Sequence, residues 1–224
     1  MKLEDFVGKN PFDRAAWPEQ ITAKVVQPGA APRLCGYDLH RDLARNYRWS
    51  ETVSLALTGE LPEPRWAPAL EIALIFLSSV TVVEAPGHAA VLAGFCGTIN
   101  SAATGIVAIA LAEQARAFVE RYRALPRAEV SASDDPGIAE LRARLGEQGL
   151  HDLALETRLG VPGAAVSLLS QCGLSTAAQL EAAWVMARLP VALAEAWAQP
   201  PGQFARYPTQ LPRFAYHHPR QERT

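Results

Sequence analysis

The sequence predicts an all-α protein, and three observations carry that prediction. Apolar residues recur at three- and four-residue intervals along most of the chain, hardly any segment alternates with period two, and the connections between periodic segments are short. The 224 residues are enough to bury a sizeable core as one large or two small domains, and a hydrophobic fraction of 49% suits a folded chain.

The elements follow in order. Residues 1–32 form an arm punctuated by Pro11, Pro18, Pro28 and Pro32, in which Gln20 to Val26 alternates well enough for one short strand. Cys35 to Pro64 reads as a turn, a short polar helix and an amphipathic helix. Ser50 is the expected N-cap of the latter, Glu51 suits the positive end of its dipole, and Gly59 sits where a left-handed C-cap would fall. Val53, Leu55, Ala56 and Leu57 give it an apolar face, while Asp42, Arg45 and Arg48 stay solvated. Trp66 to Val80 is a helix with Ala67, Leu70, Ala73, Leu74 and Leu77 on one face. Ala85 to Leu125 is two long helices broken or bent near Gly94-Phe95-Cys96-Gly97, with a charged exit at Glu113, Arg116, Glu120, Arg121 and Arg123.

Arg127 to Pro136 is a polar loop. Asp135-Pro136 starts a helix that runs to about Gln148. His151 to Leu159, Val161 to Gln171 and Ser175 to Leu189 follow as further helices, the last capped by Ser175, and Pro200-Pro201-Gly202 leads into an extended tail.

Composition excludes several classes. A net charge of -2 without a Lys/Arg cluster argues against nucleic-acid binding. Cys35, Cys96 and Cys172 are odd in number and form no C-x-x-C pair, which suits reduced thiols in a cytoplasmic protein, and acidic residues near the start do not suit a signal peptide. Ala85 to Ala112 holds no Asp, Glu, Lys or Arg, yet its Ala, Gly, Ser, Thr and Asn100 content favours a buried core or dimer-interface helix over a membrane span.

The run Cys35-Gly36-Tyr37-Asp38 and the helix ending Leu57-Thr58-Gly59-Glu60-Leu61-Pro62 resemble the N-terminal segment of the citrate synthase and citryl-CoA lyase family. That family has an Arg-Gly-Tyr-Asp-like turn and a helix ending Gly-Glu-Leu-Pro. Asp135-Pro136 with Leu141, Leu145 and Gly149-Leu150, then Met186-Ala187-Arg188, then Pro212-Arg213 with Tyr216 and Pro219, extend the resemblance from about Ala31 to Pro219. It implies a nearly all-α homodimer, citrate synthase-like, with a large and a smaller helical domain closing over acyl-CoA and a dicarboxylate. Residues 1–126 would be the arm and large-domain helices, 127–190 the small domain, and 191–224 the return to the large domain and the tail.

The chemistry so implied is a Claisen-type condensation or its reversal. It needs a carboxylate base, a neutral histidine for the enol, a second histidine for the carbonyl, and arginines for the carboxylates. The family's His-Gly-Gly-Ala, Gly-x-Gly-His and Asp-His elements have no counterparts here. Ser79 to Val83 stands where Asp-His would fall, Gly94 to Val130 holds no histidine, and Gly160 to Leu174 holds no acid. No residue is therefore assigned as catalytic.

Substrate-binding candidates are Arg188, Arg213, His217 and His218. Arg188 lies on an apolar helix, so its charge needs a carboxylate partner or a ligand. His217-His218 beside Arg213 and Tyr216 could attract a polyanion, although a solvated tail is the plainer reading. His88 reads as a helix-start or core residue, and Cys96 and Cys172 as small core residues. No metal-ligand spacing or phosphate loop stands out, and no cofactor is expected beyond a CoA thioester as substrate or ligand. The expected reading is a degenerate paralogue that binds an acyl-CoA or polycarboxylate, or that regulates an active relative through mixed dimers. The alternative is a working lyase or synthase with a site rearranged around those four residues.

Overall fold

Eight α-helices and three two-residue strands make up the described part of the chain, residues 20–126, 135–200 and 202 of the computed structural model. The chain separates into two units, Met1–Asn46 and Tyr47–Thr224.

The first unit contains β1 (Val26–Gln27), β2 (Arg33–Leu34) and β3 (Tyr37–Asp38), an antiparallel sheet in which Val26 faces Leu34 and Leu34 faces Tyr37. The strand expected over Gln20 to Val26 does not form, since of those residues only Val26 is in a strand. The pairing of β2 with β3 comes from the turn between them, where Cys35 (φ 48°) and Gly36 (φ 88°) both take the left-handed conformation that a two-residue hairpin requires. Asp38 then accepts hydrogen bonds from the amides of His40 and Arg41 at 2.9 and 2.8 Å and starts a single wide helical turn, Leu39–Leu43. The amide of Arg41 is the main reason the Asp38 carboxyl is held below its usual range. Helix α1 (Ala44–Asn46) ends the unit.

The second unit holds α2 (Trp49–Thr58), α3 (Trp66–Leu77), α4 (Ala85–Phe95), α5 (Asn100–Ala124), α6 (Pro136–Glu147), α7 (Gly160–Gln171) and α8 (Ala177–Ala198). Helix α2 starts two residues earlier than its serine suggests, with Arg48 at the N-cap. The Glu51 carboxylate accepts the Arg48 amide at 2.8 Å, which leaves Ser50 inside the first turn, buried and with its hydroxyl unpaired. The expected face is half right, since Val53 and Leu55 are buried while Ala56 is exposed. Gly59 does close the helix in the left-handed region, at φ 84°.

Helices α5 and α8 pack along one another, and α4 packs against both. One core cluster joins α3, the second half of α5, α6, α7 and the first half of α8. A smaller one joins α4, the first half of α5 and the end of α8 through Ala90, Val107, Leu111, Ala192, Leu193 and Ala196. Gly94 lies where α4 crosses α8, because a Cβ there would stand 2.2 Å from the Ala196 carbonyl oxygen. The break between α4 and α5 falls just after it, at residues 96–99.

Three helix predictions need correction. Residues 151–159 are not helical: Leu155 and Thr157 are buried, the Glu156 amide bonds to Ser167 Oγ at 2.9 Å, and Gln171 donates to the Ala154 carbonyl, so side chains of α7 replace helical backbone partners. The cap of α8 is Thr176, which exchanges hydrogen bonds with Gln179 at 3.2 and 3.0 Å. Helix α8 also runs through Pro190 to Ala198, because Ala192, Leu193 and Ala196 bury their side chains beyond it.

Candidate functional site

Two arrangements gather polar chemistry. The first is centred on Arg188, whose residue is 4% exposed. Its Nε donates to the Leu77 carbonyl at 2.9 Å, and Nη1 donates to Glu84 Oε2 and to Gln114 Oε1, each at 2.7 Å. Gln114 Nε2 donates to Glu84 Oε2 at 2.7 Å, Trp184 Nε1 donates to Gln114 Oε1 at 3.2 Å, and the Thr81 amide and hydroxyl donate to Glu84 Oε1. The guanidinium also lies 4.5 Å from the centre of the Trp184 ring, which in turn packs against Phe118. Burial alone would push the Glu84 carboxyl up. The hydrogen bonds from Arg188 and Gln114, with the Arg188 charge, outweigh that and hold it below the usual carboxylate range.

The elements explain the placement. Gln114 follows Leu111 and precedes Ala115 on α5, and Arg188 lies between Trp184 and Ala192 on α8, so both sit in sequence at the junction of the two core clusters. Of the two demands that a buried arginine makes, the carboxylate partner is the one present. The signal that could have identified that partner is plain in the sequence: between Glu71 and Glu113, Glu84 is the sole charged residue.

The second arrangement is an open groove of about 580 Å³ between the end of α5, the extended segment before α7, α7 itself and the start of α8. Arg123 lines it from the end of α5, Pro126 from just beyond that helix, Glu156 and Arg158 from the segment, Ser170 and Gln171 from α7, and Leu180 from α8. Arg158 pairs with Glu156 through Nε and Nη2 and donates from Nη2 to the Pro126 carbonyl at 2.9 Å, while Arg123 Nη1 donates to the Ser175 carbonyl at 3.1 Å. Neither Arg158 nor the groove stands out in the sequence, because residues 154–158 read as a helix there. A shallower apolar depression of about 220 Å³ is lined by Trp49, Val53, Leu74, Ile75 and Met186.

Of the candidates read from the sequence, Arg188 is placed as above, and Arg213, His217 and His218 lie outside the described residues. The described histidines are dispersed, His40 in the first unit, His88 in α4 and His151 after α6, and among the described residues no three His, Cys, Asp or Glu converge as a metal site. Cys172 is buried, and burial pushes its thiol up to about 12, so it is no nucleophile at neutral pH. Cys96 is exposed rather than in the core.

No protein-family model matches the chain, and no curated protein matches it by sequence. Among solved structures it is similar to citryl-CoA lyase from Hydrogenobacter thermophilus, with a TM-score of 0.58 and 17% sequence identity over 91% of this chain and 99% of that one. The mostly helical architecture is therefore similar to the fold of that citryl-CoA lyase.

Proposed function

We propose that this protein keeps the citryl-CoA lyase-like scaffold without its acid-base chemistry, and that it binds an acyl-CoA or a polycarboxylate or regulates an active relative by mixed dimerisation. The observation that carries the loss of the family chemistry is the internal commitment of Arg188 to Glu84, Gln114 and the Leu77 carbonyl, which also counts against ligand binding at Arg188 itself. Among the described residues the histidines, His40, His88 and His151, are dispersed, which supports that loss, since the condensation needs two of them converging with a carboxylate on one substrate.

The dimeric half of the reading draws on α5. By length and composition α5 could cross a membrane, but its first half, residues 100–112, is uncharged and only 28% of its most apolar window is buried. Ile99 before it and Ile106 and Ile109 within it are 72%, 43% and 69% exposed. An exposed apolar face of this kind marks an interaction surface. Because residues 85–112 carry no charge, two copies of the face can meet without like-charge repulsion.

The test has two arms. Purified protein supplied with citryl-CoA, or with acetyl-CoA and oxaloacetate, should release no citrate-cleavage product and no CoA thiol; turnover would sink the degenerate reading. In light scattering the protein should have a dimer mass, and Ile109→Asp should halve it. A wild type that stays monomeric at tens of micromolar, an interval in which specific homodimers of standard interface size persist, removes the homodimer.

A further inference from the structure

The open groove holds arginine donors for which no acceptor is found among the described residues. Among the described residues Arg123 is bonded only through Nη1 and Arg158 through Nε and Nη2, so Arg123 Nε and Nη2 and Arg158 Nη1 have no protein acceptor. Glu156 neutralises one of the two charges, which leaves the lining with a surplus of one cation. The two arginines are also held in position: one is tied to the Ser175 carbonyl and the other to the Pro126 carbonyl, so the donors are pre-oriented rather than loose surface charges. The half-buried Leu125 supplies apolar surface beside them. A volume of about 580 Å³ lies within the range of small-molecule sites.

We propose that this groove binds a small organic anion, with a carboxylate or phosphate oxygen pair received by the free donors of Arg123 and Arg158 and the rest of the ligand lying on Leu125. Guanidinium suits both groups because its planar N–H pairs match two oxygens at once. The Ser170 hydroxyl lines the same groove and adds a neutral donor. The inference rests on the ligand-binding half of the proposed function and assigns that binding a place away from Arg188.

Calorimetric titration with citrate, inorganic phosphate and coenzyme A as separate probes tests it on the full chain. Wild type should bind at least one probe. Citrate alone would identify a carboxylate ligand, and phosphate with coenzyme A a phosphorylated one. Arg123→Gln, at an exposed position, and Arg158→Gln should each weaken that binding about tenfold. Arg116→Gln removes the same charge from α5 outside the groove and should leave binding unchanged. If all three variants bind as wild type does, the ligand lies elsewhere and this inference falls while the functional reading stands. If no probe binds wild type, this inference falls together with the ligand-binding half of the functional reading.

Discussion

Arg188 and Arg158 each meet a glutamate, but in surroundings that differ in almost every respect. The Arg188 side chain is 5% exposed, bonded to three separate elements and stacked on a tryptophan, whereas that of Arg158 is 36% exposed and keeps one nitrogen free. Burial decides which of the two is structural. In a low-dielectric interior a guanidinium must spend its donors on the protein, because leaving them unpaired is costly, whereas at the rim of a groove water satisfies them until a ligand arrives. In this chain the arginine that the sequence offered as a binding residue is sealed, whereas two that it did not offer keep donors facing the groove.

The largest effect should come from breaking the sealed pair. Glu84→Ala strands the Arg188 charge, for which the cost of removing one partner is about 3 kcal/mol, at the low end because Gln114 still accepts from Nη1. Chemical denaturation with urea measures it directly. A loss below about 1 kcal/mol, the range of exposed pairs, would erase the contrast between the two arginines.

Next is the close approach of α4 to α8, which helps hold the sealed centre. Gly94→Ala places a methyl 2.2 Å from the Ala196 carbonyl oxygen and 2.9 Å from Gln199 Cβ, and should cost about 1–3 kcal/mol by forced backbone shifts. Gly105→Ala is the outward-facing counterpart. A Cβ there meets nothing within 4 Å, so helix propensity should stabilise the variant by about 0.5–1 kcal/mol. Thermal melts of the two variants should therefore move in opposite directions, and a shared direction would mean that α4 and α5 are not packed as described.

Acid should reveal the sealed pair as well. The Glu84 carboxyl is held below its ordinary value of 4.5, so its contribution to stability is fully present above pH 4.5 and is lost as pH falls through the lower, folded-state value. Melting temperatures followed from pH 6 to pH 3 should fall less steeply in Glu84→Gln than in wild type. Equal slopes would show that other carboxylates dominate acid unfolding.

Sequence patterns disclosed local features and missed distant ones. The α4–α5 break, the left-handed cap at Gly59 and the Asp135-Pro136 helix start depend on residues within one turn of each other, and all three are present. The segment 151–159 was misread because its backbone partners are Ser167 and Gln171, on a helix that follows it. Pro190 was misread because the packing of Ala192, Leu193 and Ala196 outweighs the hydrogen bond that proline forfeits. Glu84 and Arg188 are 104 positions apart, so their pairing could be reached only by asking which acid an apolar stretch had retained.

The smallest effect on stability should belong to the groove, and there stability and binding should part. Arg158→Gln removes the pair with Glu156 and the bond to the Pro126 carbonyl, but the side chain is about one-third exposed, and exposed pairs contribute under about 1 kcal/mol. Urea midpoints of this variant and wild type should nearly coincide while anion affinity falls. Glu84→Ala should show the reverse for a probe bound in the groove, losing stability and keeping affinity wherever the protein remains folded. The separation follows from solvent: a side chain whose donors are already hydrated in the free protein costs the fold little when it is removed, and it gives up to a ligand only what water was holding.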